Sequence, residues 1–181
     1  LLQGHVDNEL DAVGRDQAEV LGPALARIGR VDRIIASPLL RAQQTASAIS
    51  AHSSIPIETD SRWIELDYGD YDGKPMTSVA PEVWARWRSD PDFRPPGGET
   101  MSELEVRVRE ALGELVADAS GTHVVVVSHV SPIKAAVAWA LGVDIGVSWR
   151  TALDRASMST IRLHDERRAL MTFNVTVHPE K

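Results

Sequence analysis

His123-Val124-Val125-Val126-Val127-Ser128-His129-Val130-Ser131-Pro132 is the stretch that decides the fold class. Four consecutive valines make a β-branched run that reads as a strand buried on both faces, the environment a parallel sheet provides. Ser131-Pro132 then opens a helix that the pattern carries to Leu141. Upstream, Val31 to Ala36 reads as a second buried strand, centred on Ile34 and Ile35. Pro38 follows where a first helical turn tolerates it, and Leu39 to Ala51 continues as helix. Before that strand, Arg15 to Gly29 places Ala18, Leu21, Leu25 and Ile28 on one helical face. Ile55 to Glu58 and Arg62 to Leu66 read as short extended pieces, and Asp67 to Pro75 as a glycine-punctuated loop. Val79 to Arg88 reads as helix, Asp90 to Thr100 as a long loop, and Met101 to Ala119 as an amphipathic helix. Ser157 to Leu163 and Leu170 to Val177 read as strands. Strands alternate with helices, so the expected class is α/β with a mainly parallel sheet.

With 181 residues the chain suits one domain, and its 43% hydrophobic and 25% charged residues are those of an ordinary globular protein. The net charge of −7 argues against a nucleic-acid binder, which needs a basic stripe. It does not exclude an anionic substrate, for which a few converging cations suffice. The absence of cysteine excludes disulfides, thiolate chemistry and cysteine-bound zinc. No apolar run is long enough for a membrane span and no signal pattern opens the chain, so a cytoplasmic location is expected.

Ligands of open α/β sheets collect beyond the carboxyl ends of the strands, and three segments put reactive groups there. In Ser37-Pro38-Leu39-Leu40-Arg41-Ala42, Arg41 falls in a first helical turn, where backbone amides already favour an anion. His129, at the tip of the valine strand, is placed to stabilise phosphoryl oxygens and to cycle protons near neutral pH. In Trp63-Ile64-Glu65-Leu66-Asp67-Tyr68-Gly69, Glu65 suits a proton donor, since a nearby phosphate would favour its protonated form. The residues themselves leave Asp67 and Asp70 as competitors for that role. Trp84 and Trp87, three apart on a helix, read as core rather than as a lid, and Lys134 reads as pointing to solvent.

Taken in order, these segments resemble the histidine phosphatase superfamily, which includes the phosphoglycerate mutases. Gln3-Gly4-His5-Val6-Asp7 with Leu10, Gly14, Gln17 and Ala18 is similar to the stretch just after the family's Arg-His-Gly motif. Ser37 to Ala46 resembles its second-arginine segment, and Glu65-Leu66-Asp67-Tyr68-Gly69 with Gly73 its acid–base segment. Pro96-Gly97-Gly98-Glu99-Thr100 resembles its substrate-side loop, and Val127-Ser128-His129 its second histidine. The resemblance implies a three-layer sandwich, helices flanking a mainly parallel central sheet, formed as a single domain over residues 1–181. It also implies phosphomonoester hydrolysis through a phosphohistidine, without metal or cofactor, on a small phosphorylated substrate. In that reading Arg41 and His129 bind the phosphoryl group, the Val130 amide adds a donor, and Glu65 is the acid–base. Gln3 and Gly4 lie at the mouth of the site. The resemblance also admits a homodimer.

The family's Arg-His-Gly tripeptide does not occur in the sequence. His5 is not its equivalent, because its neighbours match the segment downstream of that motif and no strand precedes it. The expectation is therefore that the nucleophile and its strand lie ahead of Leu1. Leu66-Asp67 replaces the Arg-His pair of the mutase branch, which favours phosphatase over mutase. Ser128 to Lys134 looks closer to alpha-ribazole phosphatases and to acid phosphatase domains fused to ribonuclease H in actinobacteria. A non-catalytic phospholigand-binding domain is the alternative of another class.

Overall fold

Three short strands form a parallel sheet in the computed structural model, which describes residues 1–118, 121–164 and 167–177. They are β1 (Arg33–Ala36), β2 (Ile57–Thr59) and β3 (Val124–Val127), in the order β2-β1-β3. Ile34 stands opposite Ile57 on one side and Val125 on the other. The period-2 alternation of a strand divides β1 between two cores. Ile34 and Ala36 join Leu21, Ala42, Ala46, Ile49 and Val127 on one face. Ile35 joins Leu104, Val108, Ala111 and Ala135 on the other. Helices α1 (Ala12–Glu19), α2 (Leu21–Ile28) and α3 (Leu40–Ser53) cover the first face. Helices α4 (Pro81–Ser89), α5 (Met101–Asp118) and α6 (Val130–Leu141) build the second. The arrangement is the expected α/β sandwich of three layers. Ala119, where the expected fifth helix would end, lies outside the described residues.

Two segments differ from the sequence reading for identifiable reasons. The helix expected over 15–29 is two helices. Asp11 caps α1 by accepting the Gly14 amide at 2.7 Å, and α1 ends at Glu19. Pro23 lacks the N–H that would bond the Glu19 carbonyl, so the chain restarts as α2 with Pro23 in its first turn. The piece expected to be extended from Arg62 is instead a 3₁₀ turn, Ser61–Trp63, capped by Asp60, which accepts the Arg62 amide. The last two strands, β4 (Ser157–His164) and β5 (Arg167–Thr176), pair antiparallel in a ladder of their own. Met158 of this hairpin packs on the first core, and Ile161 and Leu163 on the second.

Trp87 is fully buried and Trp84 stacks on it at 5.5 Å, with Phe93 against the Trp87 edge. The tryptophans belong to the core, as their helical spacing predicts.

Candidate active site

β1 and β3 are parallel, so the segments leaving them, Ser37 and Ser128-His129, emerge at one sheet edge. His129 is the N-cap of α6 and is buried, its Nε2 2.7 Å from the hydroxyl of the fully buried Ser37. Burial, reinforced by the positive charges of Arg41 and Arg107, pulls its pKa down to about 3. The imidazole is therefore neutral at pH 7. The neutral ring and the Ser37 hydroxyl share one hydrogen bond, in which either group can donate.

Glu65 is also buried. Its Oε1 accepts the amides of Leu66 at 2.7 Å and Ser131 at 3.1 Å, so the carboxyl sits on the N-terminal turn of α6, next to His129. Burial pushes its pKa up, and the two amides with the Arg41 charge only partly oppose this. Tyr68, half-buried and within electrostatic reach of it, has its phenol raised by desolvation and by the Glu65 charge. Asp67 and Asp70 are placed differently. Asp67 accepts the Gly69 amide and stands 3.6 Å from His5 Nδ1, and Asp70 is exposed. Of the three carboxyls, only Glu65 combines burial with a place on α6.

Arg41 lies in the first turn of α3, whose Leu40 amide donates to Asp7 at 2.6 Å. Its guanidinium donates to the carbonyls of Val6 at 2.8 Å, Gly4 at 2.8 Å and Gln3 at 3.1 Å. Arg41 interacts electrostatically with both Glu65 and His129, so the three expected site residues share one locus. Gln3 and Gly4 reach it through their backbone carbonyls. Val130 is the first residue of α6, where an amide has no intrahelical partner. His5 is present as well, its Nε2 2.9 Å from the Glu65 carbonyl.

Several supporting residues escaped the sequence reading. Arg107 of α5 donates to the carbonyls of Arg62, Ile64 and Glu65 and pairs with Glu99 through two bonds of 2.7 and 2.8 Å. An arginine on an amphipathic helix reads as solvated, and nothing in the sequence marks it otherwise. Glu99 thus belongs to the framework behind Glu65. The glycines of the two loops meet: a methyl on Gly69, whose φ is +54°, would lie 2.1 Å from the Pro96 carbonyl oxygen. Lys134 turns inward instead of to solvent, donating to the Ser148 carbonyl at 3.0 Å. Among the described residues, no cluster of three or more histidines and carboxylates is placed to hold a metal ion. None of the helices described is long and apolar enough to cross a membrane.

The family model of the histidine phosphatase superfamily (branch 1) matches residues 1–176. A bifunctional protein of Mycobacterium tuberculosis is 35% identical over 153 residues, 83% of this chain and 42% of that protein. The chain thus spans about two-fifths of the length of that relative. Phosphoserine phosphatase 1 of Hydrogenobacter thermophilus is 34% identical over 182 residues, covering 97% of this chain and 85% of the relative. Among solved structures, a mycobacterial glucosyl-3-phosphoglycerate phosphatase superposes with a TM-score of 0.88 at 27% identity, covering 97% of this chain and 92% of its own. The chain belongs to the histidine phosphatase superfamily.

Proposed function

We propose that this member of the histidine phosphatase superfamily hydrolyses small phosphomonoesters through a phosphohistidine, as a metal-independent acid phosphatase. The observation that carries the reading is Glu65: a buried carboxyl with a raised pKa, seated on the α6 amides beside His129. In this reading Arg41 and the Val130 amide bind the phosphoryl oxygens, and neutral His129 donates an N–H to the charge in transit. Gln3 and Gly4 border the substrate.

A histidine nitrogen attacks phosphorus in line, the P–N bond forms and the P–O bond to the alcohol breaks. Glu65 gives its proton to the leaving oxygen. Its carboxylate then takes a proton from water as the water attacks, the P–N bond breaks, and inorganic phosphate departs. The attacking histidine belongs, in this proposal, to an Arg-His-Gly segment outside residues 1–181. A strand bearing it could pair along β3, whose ladder among the described residues is with β1. Positive charge from Arg41 takes the part that a metal plays in other phosphoryl-transfer sites.

Hydrolysis is favoured over mutase chemistry because Leu66 and Asp67 stand after Glu65, and Leu66 is buried. The names of the phosphoserine and glucosyl-3-phosphoglycerate phosphatases support a small phosphorylated metabolite as substrate. The proposed setting is cytoplasmic.

The test uses the full natural polypeptide, assayed on p-nitrophenyl phosphate and small phosphomonoesters in excess chelator. Expected are undiminished turnover in chelator, an alkali-stable phosphoenzyme, and a loss of roughly 10²–10³-fold in His129→Ala. Efficient isomerisation of phosphoglycerate would turn the reading to mutase. Phosphate binding without turnover would turn it to a phospholigand-binding domain.

A further inference from the structure

Asp72 has no part in the roles assigned so far. It follows the 3₁₀ turn Gly69–Tyr71, in the loop that begins at Glu65. Its Oδ1 accepts the amide of Gly4 at 2.6 Å, and its Oδ2 those of His5 and Val6 at 2.8 and 2.9 Å. Three successive amides converging on one anion form a concave anion site of the kind that elsewhere cradles phosphate, filled here by the protein's own carboxylate. The same turn directs its carbonyls to the Arg41 guanidinium, from Gln3, Gly4 and Val6. Its peptide groups are thus held from two sides, N–H on Asp72 and C=O on Arg41. A rotation that freed one set would displace the other.

Neighbouring contacts leave the turn little freedom. The Leu2 amide donates to the Lys74 carbonyl and the Gly73 amide to that of Leu2, both at 2.8 Å. Gly4 is pressed against the Glu65 loop, where a methyl would come within 2.6 Å of the Leu66 carbonyl oxygen.

We propose that Asp72 is a positioning residue, which fixes the Arg41 guanidinium through the Gln3–Val6 turn and so ties the phosphoryl-binding arginine to the loop that carries Glu65. The inference rests on the reading of Arg41 as the phosphoryl-binding residue. An arginine on a flexible stem must lose rotamer freedom to bind an oxyanion, and three fixed carbonyls remove that freedom beforehand. Asp72 acts on the phosphoryl group only through this turn.

The test is a double-mutant cycle in the full natural polypeptide, with inorganic phosphate affinity measured by titration calorimetry and melting temperature recorded in parallel. Asp72→Ala is expected to weaken phosphate about tenfold, and to add less than about twofold once Arg41→Ala is present, because contacts that act as a unit are not additive. Asp72→Asn keeps an acceptor for one side of the turn and sets an amide donor against the other, so its loss falls between those of the wild type and Asp72→Ala. Should Asp72→Ala fail to fold, the same cycle with Asp72→Asn decides. A lowered melting temperature with unchanged phosphate affinity would overturn the proposal, as would losses that simply add. If Arg41→Ala itself left phosphate affinity intact, the reading of Arg41 would be the part that failed.

Discussion

Replacing His129 by glutamine should flatten the acid limb of the stability–pH curve, by an amount the burial of the ring fixes. The imidazole titrates near 6.5 when free and near 3 in the fold. A depressed folded value means that the unfolded chain takes up the proton first. The contribution to stability is thus fully present above pH 6.5 and is lost as the pH falls toward 3. The limiting slope is about 1.4 kcal/mol per pH unit. Integrated between pH 7 and pH 4.5, the loss is about 2.5 kcal/mol. Glu65 acts in the opposite sense. Its folded value is raised above 4.5, so its contribution is present below that pH and lost as the pH rises through the folded value. Glu65 and the surface carboxylates titrate in both proteins, and subtracting one urea-denaturation series from the other cancels them to first order. Wild type minus His129→Gln, measured at half-unit steps, should fall by about 2.5 kcal/mol over this window. Parallel curves would refute the burial argument and with it the neutral imidazole.

Glu65→Gln should slow hydrolysis of alkyl phosphates by at least ~10²-fold and of p-nitrophenyl phosphate by under ~10-fold, since a good leaving group needs no acid. Equal losses on both substrates would move the acid to Asp67 or Asp70. Gly69→Ala should cost roughly 3 kcal/mol or more, because a side chain there meets both a positive φ and the Pro96 carbonyl oxygen at 2.1 Å. A change below about 1 kcal/mol in urea titrations would mean that the Glu65 and Pro96 loops are not in contact as described.

The strands and long helices were legible because their burial is periodic in the sequence. Val124 to Val127 and Ile34-Ile35 announce strands buried on two faces, and both occur, the one read from Val31 beginning two residues later at Arg33. The break between α1 and α2 was also encoded, in Pro23, but the apolar stripe of Ala18, Leu21 and Leu25 runs straight through it and masks it. Arg41 and His129 could be picked out as candidates because each follows a strand at one sheet edge, whereas Glu65 follows a 3₁₀ turn where an extended piece was read. What holds them could not. Arg107 and Asp72 act through backbone groups more than forty and sixty residues away in the chain. A side chain bonded to distant carbonyls or amides leaves no periodic trace. The inward turn of Lys134 depends in the same way on where the Ser148 carbonyl comes to rest.

Burial acts on the site carboxyl and the site imidazole with one result. It raises Glu65 and lowers His129, so both are driven toward their uncharged forms, and Arg41 is a cation within electrostatic reach of each. On the proposed reading, a phosphomonoester dianion entering this locus meets the Arg41 cation, a carboxyl whose burial favours its protonated form, and an imidazole whose burial favours its neutral form. The dianion would itself stabilise an imidazolium, so the proton affinity of His129 rises as the substrate arrives. The dry surroundings that make the free imidazole hard to protonate also strengthen its attraction to phosphoryl charge. A depressed pKa in the empty site is therefore what a charge-stabilising histidine should show.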